Sequence, residues 1–257
     1  MIEAFEEILV TSSLDGSREP SLLWLPEDRK PEVLVVGLHT WSATRPNQVD
    51  AMFPYARERG WALLLPEFRG ANLTSNPRAR EAGGSSLARR DIVDATRHVI
   101  NTYFDRQPAT FLVGGSGGGH MSLMVAGAED FQWTAVSAWC PITDLALWHR
   151  QNANYAPHIE AVCGGPPGEA TAQEYAERSP INYASQLAKV RLQLAHGRHD
   201  RSVPYIHSWQ MACAIDSLAP KEFYFYLFPG AHELRLPDAF GFFDDTLKTE
   251  AQNQLTG

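Results

Sequence analysis

Cysteine is scarce in this chain of 257 residues: Cys140, Cys163 and Cys213 stand far apart and are odd in number. That excludes a disulfide framework and a CxxC zinc knuckle, and the three are read as buried or idle thiols, with a cysteine nucleophile as the alternative. Long apolar runs are missing, none approaching the roughly 18–20 residues that a membrane span needs. The opening "MIEAFEEILV" is acidic and lacks the basic and apolar regions of a secretory signal, so a cytoplasmic location is expected. Positive charge is in deficit, with a formal net charge of -8. Nucleic acid is therefore not an expected partner, because its binding rests on Lys and Arg neutralising phosphates, and "RARE" and "ARR" near Arg78 and Arg89 are too short to reverse the balance. Internal repeats and low-complexity tracts are absent as well. What is present is 44% hydrophobic residues with seven Trp and twelve Phe, more than a disordered chain carries, and a length that suits one domain over residues 1–257.

Short apolar runs alternate with helical patterns. "VLVVGLH" (33–39), "WALLLP" (61–66), "ATFLVGG" (109–115), "WTAVSAWC" (133–140), "VRLQLAHG" (190–197) and "FYFYLFPG" (223–230) read as strands, each ending in turn residues. Helices are expected near 47–58, 85–104, 117–127, 204–217 and 236–250. This order predicts an α/β architecture, a mostly parallel twisted sheet covered by helices on both faces. "EEILVTSSLDG" and "SLLWLPED" read as an antiparallel pair on one edge of it. Residues 145–188 break the rhythm: they contain no good strand and are expected to form a small cap or lid inserted between two strands.

The glycine-rich stretch "FLVGGSGGGHMSLMVAG" (111–127) is where chemistry is expected. It is not a phosphate loop, since Gly119 is followed by His120 and Met121 rather than Lys and Ser or Thr, and no three of its glycines fit GxGxxG. It contains GxSxG at 114–118, after a strand and opening a helix, the context of a nucleophile elbow. Ser116 is then the nucleophile, Gly114 and Gly118 let strand and helix approach closely, and the Gly117 N–H faces developing negative charge.

A serine needs a histidine base, and the histidine a carboxylate. On this kind of sheet they follow in the order serine, acid, histidine. His232 in "FPGAHEL", just after the last strand, fits the base, and Asp200 in "LAHGRHDRSVP" fits the acid, with Asp144 as runner-up. A metal reading of His196, His199 and Asp200 is disfavoured for want of further convergent ligands, and no cofactor is expected. The second oxyanion donor is expected in "LHTWSA", Trp41 N–H first and Thr40 second.

"GGSGGG", "HGRHDRSVP" and "PGAHE", together with "PEFRG" (66–70) and "RSPINYA" (178–184), resemble the catalytic domain of the prolyl oligopeptidase family of α/β-hydrolases from about residue 30 onward. The resemblance implies an α/β-hydrolase fold with Ser116 as nucleophile, Asp200 as acid and His232 as base. Two departures stand out: the large N-terminal propeller of the peptidases has no counterpart here, and His39-Thr40-Trp41 replaces a histidine followed by two glycines. The "LHTWS" version is similar to stand-alone bacterial hydrolases, some of them esterases.

The leading expectation is a serine esterase acting on a small-molecule ester through an acyl-enzyme. A peptidase or amidase is the alternative, and a non-catalytic binding module the third reading. His39, Phe68, Trp139 and Trp148 are candidate pocket residues, ordinary packing being the competing account, and Trp41 is weighed in the same way. Arg69 is a candidate clamp for a substrate carboxylate, with a structural pairing to Glu67 or Asp91 preferred. Nothing in the sequence bears on oligomeric state.

Overall fold

The computed structural model of the chain describes every residue except Met1, Asp28, Lys221 and Gly257, and residues 253–256 by backbone alone. Eight strands, β1 Glu6–Thr11, β2 Arg18–Trp24, β3 Val33–Leu38, β4 Ala62–Pro66, β5 Ala109–Gly115, β6 Ala135–Trp139, β7 Leu192–Gly197 and β8 Phe223–Phe228, form one sheet in the order β1-β2-β4-β3-β5-β6-β7-β8. The β1–β2 and β2–β4 pairs are antiparallel and all the others parallel. This is the α/β-hydrolase arrangement, and both edge strands expected at the front of the chain are in place.

The side-chain period of two decides where the core lies. In β3, Leu34, Val36 and Leu38 enter one apolar layer while Val33 and Val35 enter the other, so the strand is buried on both faces. The first layer is completed by α2 Ser86–Tyr103, α3 Gly117–Ala128 and α8 Ile206–Asp216. The second is completed by α1 Val49–Arg59 and α9 Leu236–Thr256, through Met52, Phe53, Phe240 and Phe243. Helix α2 starts at Ser85 because its hydroxyl accepts the Ala88 N–H at 3.0 Å, satisfying a donor that the first turn leaves free. Helix α9 runs six residues past the end expected from periodicity.

The inserted segment folds as α4 Leu145–Gln151, α5 Ala156–Cys163, α6 Ala172–Glu177 and α7 Ala184–Leu187. Its apolar residues Leu145, Trp148, Ile159, Val162 and Tyr175 build a third buried cluster around Trp41 and Val203. The segment is therefore anchored to the loops at the carboxyl ends of the strands. Chain order reverses between β3 and β5, whose ends are in register at Leu38 and Gly114, and in such sheets the crevice beyond that point is where ligands bind. Cys140 and Cys163 are buried, whereas Cys213 is exposed, so of the two readings offered, buried or idle, burial holds for the first two alone. Among the described residues no helix is long and apolar enough to cross a membrane.

Two histidines lie inside these layers. Burial pushes His120 down to about 4 and His207 down to about 3. An unfolded chain, whose histidines titrate near ~6.5, takes up protons below that value that the folded chain refuses. Stability should therefore rise with pH between those limits. The urea midpoint is expected to be lower at pH 5 than at pH 7, with a smaller gap in His207→Gln; equal midpoints in the parent protein would contradict the burial of neutral imidazoles.

Candidate active site

Strand β5 ends in Gly114 and Gly115, and Ser116 then turns the chain into α3 with φ 57° and ψ −121°. A residue with a Cβ held in that conformation costs about 1–3 kcal/mol, so the surroundings must impose it. They do so through the Ser116 N–H, which donates to the Trp139 carbonyl at 2.8 Å, and the His120 N–H, which donates to the Ser116 carbonyl at 2.9 Å. Backbones crowd around this turn. A Cβ on Gly114 would overlap the Gly118 backbone, one on Gly118 the Leu38 carbonyl, and one on Gly117 the Trp41 nitrogen. The serine itself stays half-buried.

Asp200 lies in the turn after β7. Its Oδ1 accepts the N–H groups of Ser202 at 2.8 Å and Val203 at 2.9 Å, which fixes the carboxylate plane. Its Oδ2 lies 2.6 Å from His232 Nδ1 and 3.2 Å from His196 Nε2. Burial alone would push the pKa of this group up, but hydrogen bonds from His196, His232 and the Val203 N–H outweigh it and hold the carboxyl well below the usual carboxylate range. His232 sits in the loop after β8. That loop is pinned to the β7 end by the His199 N–H, which donates to the Gly230 carbonyl at 2.9 Å, and by the absence of a side chain at Gly197, where a Cβ would overlap the Ala231 carbonyl. It also passes beside the elbow, since a Cβ on Gly115 would press on Leu234 Cβ at 3.0 Å. With Nδ1 on the carboxylate, Nε2 is the nitrogen of His232 left for proton transfer.

Two N–H groups meet next to Ser116. Gly117 N–H is the first of α3, at the positive end of the helix dipole. Trp41 N lies beside Gly117, where a Cβ would overlap it, and among the described residues no acceptor is bonded to the Trp41 N–H. Thr40 N–H, the second candidate donor, points instead to Asn47 Oδ1 at 3.4 Å.

Several expected residues are placed elsewhere. Arg69 is 1% exposed and bonds Asp91, Asp15, Glu81 and Ser12, leaving no donor for a substrate; its partner is Asp91 and not Glu67. Phe68 stacks on His39 with ring centroids 3.8 Å apart, both deep inside the chain. Trp139 donates to Ser137 Oγ, and Trp148 to the Ser202 carbonyl while packing edge-on against Trp41. As pocket walls, His39, Phe68, Arg69, Trp139 and Trp148 are corrected to interior packing. Asp144, the runner-up acid, caps α4 by accepting the Leu147 N–H at 2.8 Å.

Two neighbours of Asp200 were given no part in the triad by the sequence reading, which weighed His196 only as a metal ligand and Cys140 as a buried or idle thiol. His196 was legible from its spacing, four residues before Asp200 across a turn. Cys140, with φ 43° at the end of β6, had no sequence signal; its thiol donates to the Glu233 carbonyl at 3.5 Å, and burial pushes it up to about 12. Cys140, His196 and Asp200 each bring one ligand atom within 4.8 Å of the others, a grouping that would suit a metal by residue type. Those atoms are engaged already: His196 Nε2 donates to the Val203 carbonyl at 2.8 Å and the carboxylate holds His232.

The sequence profile of the prolyl oligopeptidase family matches residues 47–238. Among solved structures, the chain is similar to a puromycin hydrolase (TM-score 0.73, 18% identity, covering 91% of this chain and 37% of that one). It is also similar to the acylaminoacyl peptidase of Pyrococcus horikoshii (TM-score 0.69, 20% identity, 89% and 38%) and to a puromycin-hydrolyzing peptidase of Mycobacterium tuberculosis (TM-score 0.72, 19% identity, 96% and 38%). The chain thus spans little more than a third of each of these proteins. A search of curated proteins finds no match.

Arg69 supplies the check on the corrected pocket. Arg69→Met strands the buried Asp91 and is expected to destabilise the fold by about 3–5 kcal/mol in chemical denaturation, the usual cost of breaking a buried pair. The KM of the folded variant for an ester that carries a free carboxylate should stay within twofold of the parent value; a large selective rise in KM would return Arg69 to the substrate.

Proposed function

Because the chain belongs to the prolyl oligopeptidase family, we propose that it is a serine hydrolase working through an acyl-enzyme at Ser116. The observation that supports this best is the 2.6 Å contact between Asp200 and His232 in loops that converge on the Ser116 elbow. His232 Nε2 takes the Ser116 hydroxyl proton as Oγ attacks the substrate carbonyl carbon. The carbonyl oxygen gains negative charge and is met by the N–H groups of Gly117 and Trp41. When the tetrahedral adduct collapses, the leaving group departs with the proton from the His232 imidazolium, and the acyl group stays on Oγ. Water then gives a proton to His232 and adds to the acyl carbon; as this second adduct collapses the bond to Oγ breaks, Oγ takes the proton back from His232, and the acid is released. Throughout, Asp200 holds the imidazole in the tautomer with hydrogen on Nδ1 and stabilises the cation that forms.

The proposed substrate is a small carboxylic ester, whose alkoxide leaving group asks less of His232 than an amine does. Peptide or amide hydrolysis is the second reading, favoured by the peptidases among the similar structures. Neither the triad nor the two N–H groups separates the two, because both pass through the same adduct.

A fluorophosphonate probe should label the parent protein at Ser116, and Ser116→Ala should abolish both labelling and ester turnover. Absence of labelling, or unchanged turnover in the variant, would refute the mechanism. Turnover of nitrophenyl butyrate against aminoacyl and peptidyl nitroanilides ranks the substrates, and faster anilide turnover would replace the ester reading by the peptidase one. Asp200→Asn, which leaves His232 without a carboxylate, is expected to lower kcat by up to about 10⁴-fold.

A further inference from the structure

The second donor of the proposed hole depends on a peptide whose orientation nothing in the reaction itself sets. Thr40 and Trp41 share one peptide unit: its carbonyl belongs to Thr40 and its N–H to Trp41. In a trans peptide these two groups point in opposite directions, so whatever holds the carbonyl aims the N–H. The Thr40 carbonyl lies 3.0 Å from His39 Nδ1. Since a carbonyl only accepts, His39 must carry hydrogen on Nδ1.

The imidazole is itself fixed from three sides. Its face is stacked on Phe68 at 3.8 Å with the rings 2° from parallel. Its Nε2 faces Glu67 Oε1 at 3.3 Å without the alignment of a hydrogen bond. Burial would raise Glu67, but His39 and Arg45 overcome it and keep the carboxyl ionised. Glu67 is braced in turn by Arg45, through its backbone N–H at 3.1 Å and its guanidinium at 3.2 Å, and Arg45 also reaches Glu7 at the surface.

We infer that His39, held by Glu67, is a positioning residue that locks the Thr40–Trp41 peptide with its N–H directed at the oxyanion beside Gly117. Without the lock, a rotated peptide would present the Thr40 carbonyl to a developing negative charge. This rests on the proposed serine mechanism and on Trp41 as second donor. His39 touches no reacting atom, so its effect falls on the transition state and not on ground-state binding.

The test uses the full chain with nitrophenyl butyrate and a fluorophosphonate probe, comparing His39→Gln, His39→Asn and Glu67→Gln. An Asn amide nitrogen stands where Nδ1 stood and can donate to the Thr40 carbonyl, whereas a Gln amide reaches only toward the Nε2 position. His39→Gln is expected to lose about 10- to 100-fold in kcat, approaching the loss of one oxyanion donor, with KM within twofold. The rate of phosphonylation should fall in parallel, because the phosphoryl oxygen enters the same hole. His39→Asn should recover most of both, and Glu67→Gln should show a smaller kcat loss of the same kind. Equal kcat in the Gln and Asn variants, or a loss confined to KM, overturns the lock. If His39→Gln does not fold, Glu67→Gln decides, and an unchanged kcat there overturns it. Failure of the serine mechanism itself looks different: the parent protein goes unlabelled and Ser116→Ala retains turnover.

Discussion

Backbone meeting backbone without an intervening Cβ is the constraint on which the rest of this structure depends. At the elbow, β5, α3 and the loop after β3 approach so closely that side chains at Gly114, Gly117 and Gly118 would overlap main-chain atoms. That closeness holds Ser116 in its strained conformation and places the first N–H of α3 against Trp41 N. Gly197 repeats the device at the end of β7, where the His232 loop crosses. The proposed site is therefore assembled by main-chain contact, with the reactive side chains set into a frame that they do not build.

Around that frame, charge is handled in two ways. Asp200 keeps its charge in a buried position because four groups hydrogen-bond or face it, so its ionised form is the favoured one. Arg69 is equally buried but is shared among carboxylates from separate segments of the chain, a tie between the β1–β2 turn, the segment around Glu81 and α2. The first arrangement orients a reactive imidazole. The second consumes every donor it has, and so cannot also recognise a ligand.

Legibility in the sequence followed the range of the contacts involved. The strands and most helices were readable because apolar period and turn residues are local, and Ser116 because the elbow is a five-residue requirement. Asp200 and His232 were found by chain order and by their position after strand ends. What was not legible is set by distant segments. An apolar ring such as Trp139 or Trp148 has the same local signature whether it walls a cavity or fills a core. The partners of Arg69 come from up to 57 residues away, and Cys140 reaches Asp200 only because β6 and β7 are neighbours. Between Thr40 and Trp41 the sequence offers no local sign that the Thr40 N–H is directed at Asn47 Oδ1, seven residues on.

The family profile begins at residue 47, yet β3, at the centre of the sheet, ends at Leu38, and the loop carrying Trp41 follows it directly. The same is true of Asp15 and Ser12, which hold Arg69 from the front of the chain. The stretch that the family profile matches and the unit that folds are thus different objects. Cutting the chain at the border of that match would remove the middle of the sheet and half of the proposed anion cradle, so the proposed chemistry depends on residues that the profile does not include.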